Sequence, residues 1–331
     1  MKRDFYLFDV KEICRNDNTI KVFKFDNSSR IIPVEKIDSL YVFSEIKFNT
    51  KFLNFISQKN IILNIFNYFG YYSGSYYPRE SNVSGELLIS QVNAYQNKVR
   101  RMKIASSIIE SATYNIYRNL RYYYERGKTK LEEDMKKIKG LRNRIKYAEE
   151  VQELMGIEGN IRKTYYNSWE EIIDHKYKFD KRVRRPPNNI INTLISFINN
   201  IVYTTVLSEI YKTQLNPTIS YLHEPSTKRF SLSLDLSEIF KPLITDRIIF
   251  RMINRNQIKE SDFKTLSDKL YIKDIHRKKI LKEIDETLLT KINHKKLNRK
   301  VSYKYLIRLE AYKLIKYLLH NEKYSAFKIW W

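Results

Sequence analysis

Hydrophobic and polar positions divide the chain into two textures. Up to about residue 81, short runs rich in Phe, Tyr, Val and Ile at 4–9, 19–25, 30–33 and 38–43 alternate with turn signals. Asn16-Asp17-Asn18 and Asp26-Asn27-Ser28-Ser29 are two of these signals, and the alternation predicts short strands joined by tight turns. Residues 49–58 set Phe52, Phe55 and Ile56 at helical spacing, so a short helix is expected there. Another strand is expected at 61–66, then a hairpin through Gly70 and Gly74 to Pro78. Residues 1–81 therefore read as a small β-rich domain.

From Ser84 the period changes. Leu87, Leu88, Val92, Tyr95 and Val99 recur at helical spacing, and the pattern continues with interruptions to Gly127. Charged helical sequence resumes at Lys130 and runs towards Met155. Further helices are expected near 160–174, 189–214, 243–253, 275–289 and 302–320. All seven glycines lie at or before residue 159, and a glycine-free stretch is hard to build from strands with tight turns. Residues 82–331 are expected to form a larger all-α domain, giving an α+β protein overall.

Charge sharpens this division. The 331 residues carry 61 Lys and Arg against 37 Asp and Glu, a formal net charge of +24. Residues 1–81 account for only +3 of it, so the helical region carries +21. A field of that sign attracts phosphate backbones. Cys14 is the single cysteine, which excludes an intrachain disulfide framework and a cysteine-based metal site. Asp4 and Asp9 interrupt the start before a signal-peptide core can form, and Pro186–Ser208, the longest uncharged stretch, carries Asn, Thr and Ser throughout. That stretch reads as too polar to span a bilayer. A cytoplasmic setting without membrane association is the expectation.

Four segments can carry chemistry. Gly156-Ile157-Glu158-Gly159 places one acid between two glycines, where one helix is expected to end and the next to begin. Glu158 could equally serve only to complement the next helix's dipole. His223 follows Asn216-Pro217, which should end the helix that starts near 189. Residues 230–242, FSLSLDLSEIFKP, alternate as a strand would as far as Leu236. A helix capped by Ser231 or Ser233 and stopped before Pro242 is preferred, because two acids in its first turn also suit the dipole. It would set Asp235 and Glu238 on one face, able to approach one cation together. Carboxylates with an imidazole suit a hard or borderline divalent cation. Lys181, Arg182, Arg184 and Arg185 ahead of Pro186-Pro187, with Lys228 and Arg229, suit phosphate contacts or form a solvated linker. Tyr165, Tyr166 and Trp169 could stack on unpaired bases or pack in a core.

The strings SGELL (84–88), GIEGNIRKTYY (156–166), RRPPNNIINTLISF (184–197), LNPTISYLH (215–223) and RFSLSLDLSEIFKP (229–242) occur in one order and spacing. Together they resemble the CRISPR-associated adaptation integrases, the Cas1 family. The tail, residues 301–319 with the closing Phe327 to Trp331, is similar to members that accompany type I-B systems. The resemblance implies a β domain through which members form homodimers, and a helical catalytic domain. It implies action with the small Cas2 protein on prespacer DNA, a duplex with 3′ single-stranded ends. The 3′-hydroxyls would join CRISPR repeat DNA by transesterification; with water as nucleophile the site would cut DNA. It implies Glu158, His223 and Glu238 as ligands of Mg²⁺ or Mn²⁺, with Asp235 an additional ligand or close neighbour. Ser220 and Gln214 stand where many members have glycine, which bears on local backbone shape. Read by themselves, the residues leave two possibilities open: a metal-dependent DNA integrase and nuclease, or a non-enzymatic basic DNA-binding scaffold whose acids complement helix ends.

Overall fold

In the computed structural model, which describes residues 2–78, 82–173, 177, 179, 181–183, 187–227, 229–266, 269–294 and 297–330, the first 82 residues group with 273–285, and 83–272 group with 286–331. The expected boundary near residue 81 divides the chain once. The structure adds a return, because 273–285 groups with the N-terminal unit instead of the helical one. Polar contacts within that unit account for it: Lys278 Nζ meets Asp9 Oδ2 at 2.6 Å, and Arg277 donates to the Tyr68 carbonyl at 2.8 Å.

The N-terminal unit opens with β1 (Arg3–Leu7), β2 (Val10–Asn16), β3 (Thr19–Lys24), β4 (Ser29–Pro33) and β5 (Ile37–Val42). It continues with α1 (Thr50–Gln58), β6 (Ile62–Phe66) and β7 (Tyr72–Tyr76). Strands β2-β3-β4 form an antiparallel sheet, while β1, β5 and β6 pair in parallel with β7 antiparallel at the edge. A parallel pair needs a crossover, and α1 supplies it between β5 and β6. Asn49 caps α1 by accepting from the Phe52 N–H at 3.0 Å, and Phe52, Phe55 and Ile56 are buried. The turn signals act through left-handed backbone at Asp17 (φ 49°) and Asn27 (φ 63°). Asp9 (φ 56°) does the same unannounced, ending the expected 4–9 strand at Leu7 and starting β2. Gly70 (φ 82°) takes the hairpin turn, whereas Gly74 lies within β7.

The second unit runs α2 (Gly85–Gln96), α3 (Lys98–Tyr124), α4 (Leu131–Asn143), α5 (Val151–Asn167), α6 (Trp169–Ile172), α7 (Ile190–Tyr211), α8 (Ser231–Phe240) and α9 (Arg247–Asn254). Then come β8 (Phe263–Leu266), β9 (Lys269–Ile272), β10 (Lys291–His294), β11 (Arg299–Ser302) and α11 (Tyr303–His320), while α10 (Asp274–Leu289), between β9 and β10 in the chain, groups with the first unit as far as Asp285. The second unit is mostly helical, but β8-β9 and β10-β11 form two antiparallel ribbons where only helix was expected. Asn298 (φ 47°) takes the left-handed position in the β10-β11 turn, a role asparagine fills in place of glycine.

Two features hold the core. α7 is apolar and long enough by composition to cross a membrane, contrary to the reading of its Asn, Thr and Ser, yet 72% of its apolar window is buried inside the fold. Its fully buried Glu209 pairs with Lys212 at 2.9 Å and, across to α11, with Arg308 at 2.7 Å. Burial would raise that carboxyl, but Lys212, Lys304 and Arg308 outweigh it and hold it below the ordinary range. The C-terminal tail packs beside α3 and α8. Asn115 donates to the carbonyls of Ile239 (3.0 Å) and Phe327 (3.3 Å) and accepts from the Ile329 N–H (3.0 Å). Phe327 also stacks on Phe240 at 6.2 Å.

Candidate active site

α5 and α8 build the site. The spacing of Leu154, Ile157, Ile161 and Tyr165 buries one face of α5, which turns Glu158, Arg162 and Lys163 towards a cleft of about 570 Å³. The expected helix junction at Glu158 does not exist, because α5 runs unbroken through both glycines. A Cβ at Gly156 or Gly159 would meet no atom within 4 Å, so these positions are open. Their helix-propensity cost of about 1 kcal/mol each is offset by the buried face.

α8 is the preferred helix and not a strand, but its details differ from expectation. Phe230 is the N-cap and no side chain caps it; Ser231 Oγ instead donates to the Thr218 carbonyl at 2.7 Å. No acid lies in its first turn. Nor does the helix path stop before Pro242. Proline has no N–H to continue the α ladder, and 242–246 widen into a π turn in which the Asp246 N–H donates to the Lys241 carbonyl at 3.2 Å. Asn119 anchors that turn by donating to the Pro242 carbonyl at 2.7 Å.

Asp235 and Glu238 therefore have different tasks. Asp235 is fully buried. Its Oδ2 accepts from the backbone N–H of Tyr221 (2.7 Å) and Leu222 (2.9 Å). Its Oδ1 accepts from the N–H of His223 (2.9 Å) and meets His223 Nδ1 at 2.8 Å. All its acceptor capacity goes to fixing the 221–223 backbone and one imidazole nitrogen, so it does not join Glu238 in approaching a cation. His223 Nε2 is left for the cleft, which Glu158, His223 and Glu238 all line.

Glu158 and Glu238 meet on one guanidinium. Arg162 Nε bonds Glu158 Oε1, and Arg162 Nη2 bonds Glu238 Oε2. Lys241 Nζ takes the other Glu238 oxygen at 2.5 Å. Burial would push the Glu238 carboxyl up, but Lys241 and Arg162 overcome it and hold it at about 2. Among the described residues no three His, Cys, Asp or Glu side chains already form a metal cage. The donor set nevertheless suits a divalent ion: two carboxylates, and an imidazole whose other nitrogen is fixed by a carboxylate, the usual support of a metal-binding histidine.

The cleft is cationic around this pair. Arg162, Lys163, Lys181, Arg182, Arg229 and Lys241 line it against the two glutamates. Arg182, expected to grip phosphate, also spends donors on Asn192 Oδ1 (3.0 Å) and Ser196 Oγ (2.9 Å), which ties its loop to α7. Arg229 donates to the Glu224 carbonyl at 2.7 Å. Arg184, Arg185 and Lys228 lie outside the described residues. The base-stacking role considered for Tyr165 is not available: its ring is fully buried, edge-on to Trp169 at 5.7 Å, with its hydroxyl donating to Asp246 at 3.1 Å. Arg162 and Lys241 were missed as site residues. Their spacing, four after Glu158 and three after Glu238, was the available signal.

The family model described as CRISPR associated protein Cas1 matches residues 5–286. The chain is 54% identical to a CRISPR-associated endonuclease Cas1 of Fusobacterium nucleatum, over all of this chain and 98% of that protein. A solved Cas1 protein from Thermotoga maritima superposes with a TM-score of 0.85 at 36% identity, covering 98% of this chain and all of the other. A casposase bound to integration product shares the fold, with a TM-score of 0.86 at 20% identity, covering 100% of this chain and 96% of that one.

Proposed function

Because the chain belongs to the Cas1 family of CRISPR-associated proteins, we propose that it is a metal-dependent DNA integrase and endonuclease of CRISPR adaptation, with Glu158, His223 and Glu238 as its metal-binding centre. The observation that carries this reading is the convergence of two carboxylates and an Asp235-fixed imidazole on one cation-lined cleft. A Mg²⁺ or Mn²⁺ held there would supply Lewis acidity at the scissile phosphate.

This chain's own residues do the rest. Lys163, Lys181 and Arg229 bind backbone phosphates in the cleft and set the strand's register. Asp235 keeps the proton of His223 on Nδ1 and so leaves Nε2 free to ligate. The incoming 3′-hydroxyl attacks the repeat phosphate directly and gives its proton to solvent, while the P–O3′ bond of the repeat strand breaks and the departing 3′-oxygen takes up a proton, so no Ser or Tyr nucleophile is required. A ligating imidazole must be neutral, so acid weakens metal binding.

The DNA is a prespacer duplex with 3′ single-stranded ends, delivered by a homodimer assembled with Cas2 and joined to the CRISPR repeat. The resemblance of the tail to members that accompany type I-B systems supports that setting, and the single cysteine suits a reducing cytoplasm. As a domain assignment, residues 1–81 provide dimerisation and 82–331 catalysis and DNA binding. The test is half-site integration of a labelled prespacer with Mn²⁺. Glu158→Ala and His223→Ala should each lose at least about 100-fold in rate, with DNA affinity within a few-fold. Wild-type integration by both variants would favour the scaffold reading instead.

A further inference from the structure

Arg162 stands where the proposed ligands meet. Its guanidinium joins Glu158 to Glu238, and its side chain is only 14% exposed. With Lys241 on the remaining Glu238 oxygen, two carboxylates face two cations, and the group is formally neutral. A divalent ion bound by both carboxylates needs the same position, and a buried guanidinium beside a dication is repelled. Breaking a buried ion pair without giving the freed charge a partner is costly.

Arg162 already meets the Tyr166 hydroxyl and feels the Asp246 carboxyl, and a polyanion entering the cleft adds a fully charged partner in place of the glutamates. Arg162 lies one turn along α5 from Glu158, beside Lys163 on the cleft wall. Gly159 leaves the helix surface next to it open, since a Cβ there would meet nothing within 4 Å. A phosphate at that surface can take a guanidinium through two parallel hydrogen bonds.

We propose that Arg162 is a resident counter-cation of the Glu158–Glu238 pair, displaced onto a DNA phosphate when the divalent ion binds, so that metal and DNA load cooperatively. This rests on the reading of Glu158, His223 and Glu238 as the metal centre. Coupling of this kind is reciprocal: DNA tightens metal binding by the factor by which metal tightens DNA binding. Arg162 acts here as a positioning residue, and its signature is metal affinity in the absence of reaction.

The experiment is an electron paramagnetic resonance titration of the full-length protein with Mn²⁺, alone and with a short duplex bearing 3′-dideoxy ends. For wild type, the duplex should lower the Mn²⁺ Kd about tenfold, the equivalent of one charge-assisted hydrogen bond. Arg162→Gln should bind Mn²⁺ about tenfold more tightly than wild type without DNA, and DNA should then change its Kd by no more than about twofold. Arg162→Lys, which keeps the charge but not the fork, should fall between them. A purely structural role for Arg162 predicts weaker Mn²⁺ binding on substitution. Folded Arg162 variants that bind Mn²⁺ no more tightly than wild type, or that keep the full DNA effect, overturn the proposal. Glu158→Gln separates the two layers. If it abolishes Mn²⁺ binding while Arg162→Gln tightens nothing, only the counter-cation proposal falls. If it leaves Mn²⁺ binding unchanged, the metal centre itself is wrong.

Discussion

Replacing Asp235 by asparagine changes one oxygen into an N–H₂ group and tests the support of the site directly. The Oδ2 position faces two backbone N–H groups, of Tyr221 and Leu222, at 2.7 and 2.9 Å. Neither can accept, so the new amide nitrogen is driven to the Oδ1 position. There it confronts the His223 N–H at 2.9 Å and the ring Nδ1 at 2.8 Å. The first contact becomes donor against donor. The second survives only if Nδ1 gives up its proton, which moves the proton to Nε2 and blocks ligation. Loss of a charge-assisted bond at a buried site, with one N–H left unpaired, should cost roughly 2–5 kcal/mol of folding stability. The wrong tautomer should weaken metal binding by about 10- to 100-fold. Urea denaturation and a Mn²⁺ titration on the same variant read both effects. Stability within about 0.5 kcal/mol of wild type, with unchanged Mn²⁺ affinity, would refute the role assigned to Asp235.

The other expectations concern buried ionisable groups and the aromatic core. Burial opposes the charge of Glu238, but Lys241 and Arg162 depress its carboxyl from 4.5 to about 2. The resulting stability is present above the unfolded value and lost as pH falls from about 4.5 to about 2. Glu238→Gln should flatten that part of a stability–pH profile. Asp246 behaves oppositely: burial raises its carboxyl from 3.8 to about 7, against the pull of Arg162, the Tyr165 hydroxyl and Lys241. Its protonated form favours the fold, so stability declines as pH rises from about 4 through 7. Asp246→Asn should raise the urea midpoint at pH 8 and leave it unchanged near pH 4. Tyr165→Phe should cost about 1 kcal/mol by loss of buried hydroxyl bonds while DNA affinity, measured by fluorescence anisotropy, stays at the wild-type value. A drop in affinity would restore the base-stacking reading.

The β-rich start was legible because its turns need particular backbone angles, and Asp17 and Asn27 are residue types that adopt them. The helical period was equally plain in α3, α7 and α11. Glycine misled twice. Gly156 and Gly159 suggested a helix junction, yet both point into open space on a helix held by its opposite face. The missing glycines after 159 suggested no tight turns, yet Asn298 makes one. In α8 alternation carried little information, because Ser231, Leu232, Ser233 and every residue from Asp235 to Phe240 are buried. Glu158, His223 and Glu238 could be named as candidates from their motifs, and the structure sets all three on one cleft. The division of labour between Asp235 and Glu238 could not, because Asp235 is defined by bonds to backbone 12 to 14 residues away. No side-chain pattern reports such contacts. The Tyr165–Trp169 pair shows the reverse limit, since rings at one-turn spacing look the same whether they face DNA or a core.

The most direct test of the metal centre is anomalous diffraction from crystals of the protein with Mn²⁺ and DNA. One strong peak is expected in the cleft, directly coordinated by carboxylate oxygens of Glu158 and Glu238 and by Nε2 of His223, with Asp235 still on Nδ1 and Arg162 moved off the glutamates. A cleft with no Mn²⁺ peak, or an ion bound without these three side chains, would contradict it.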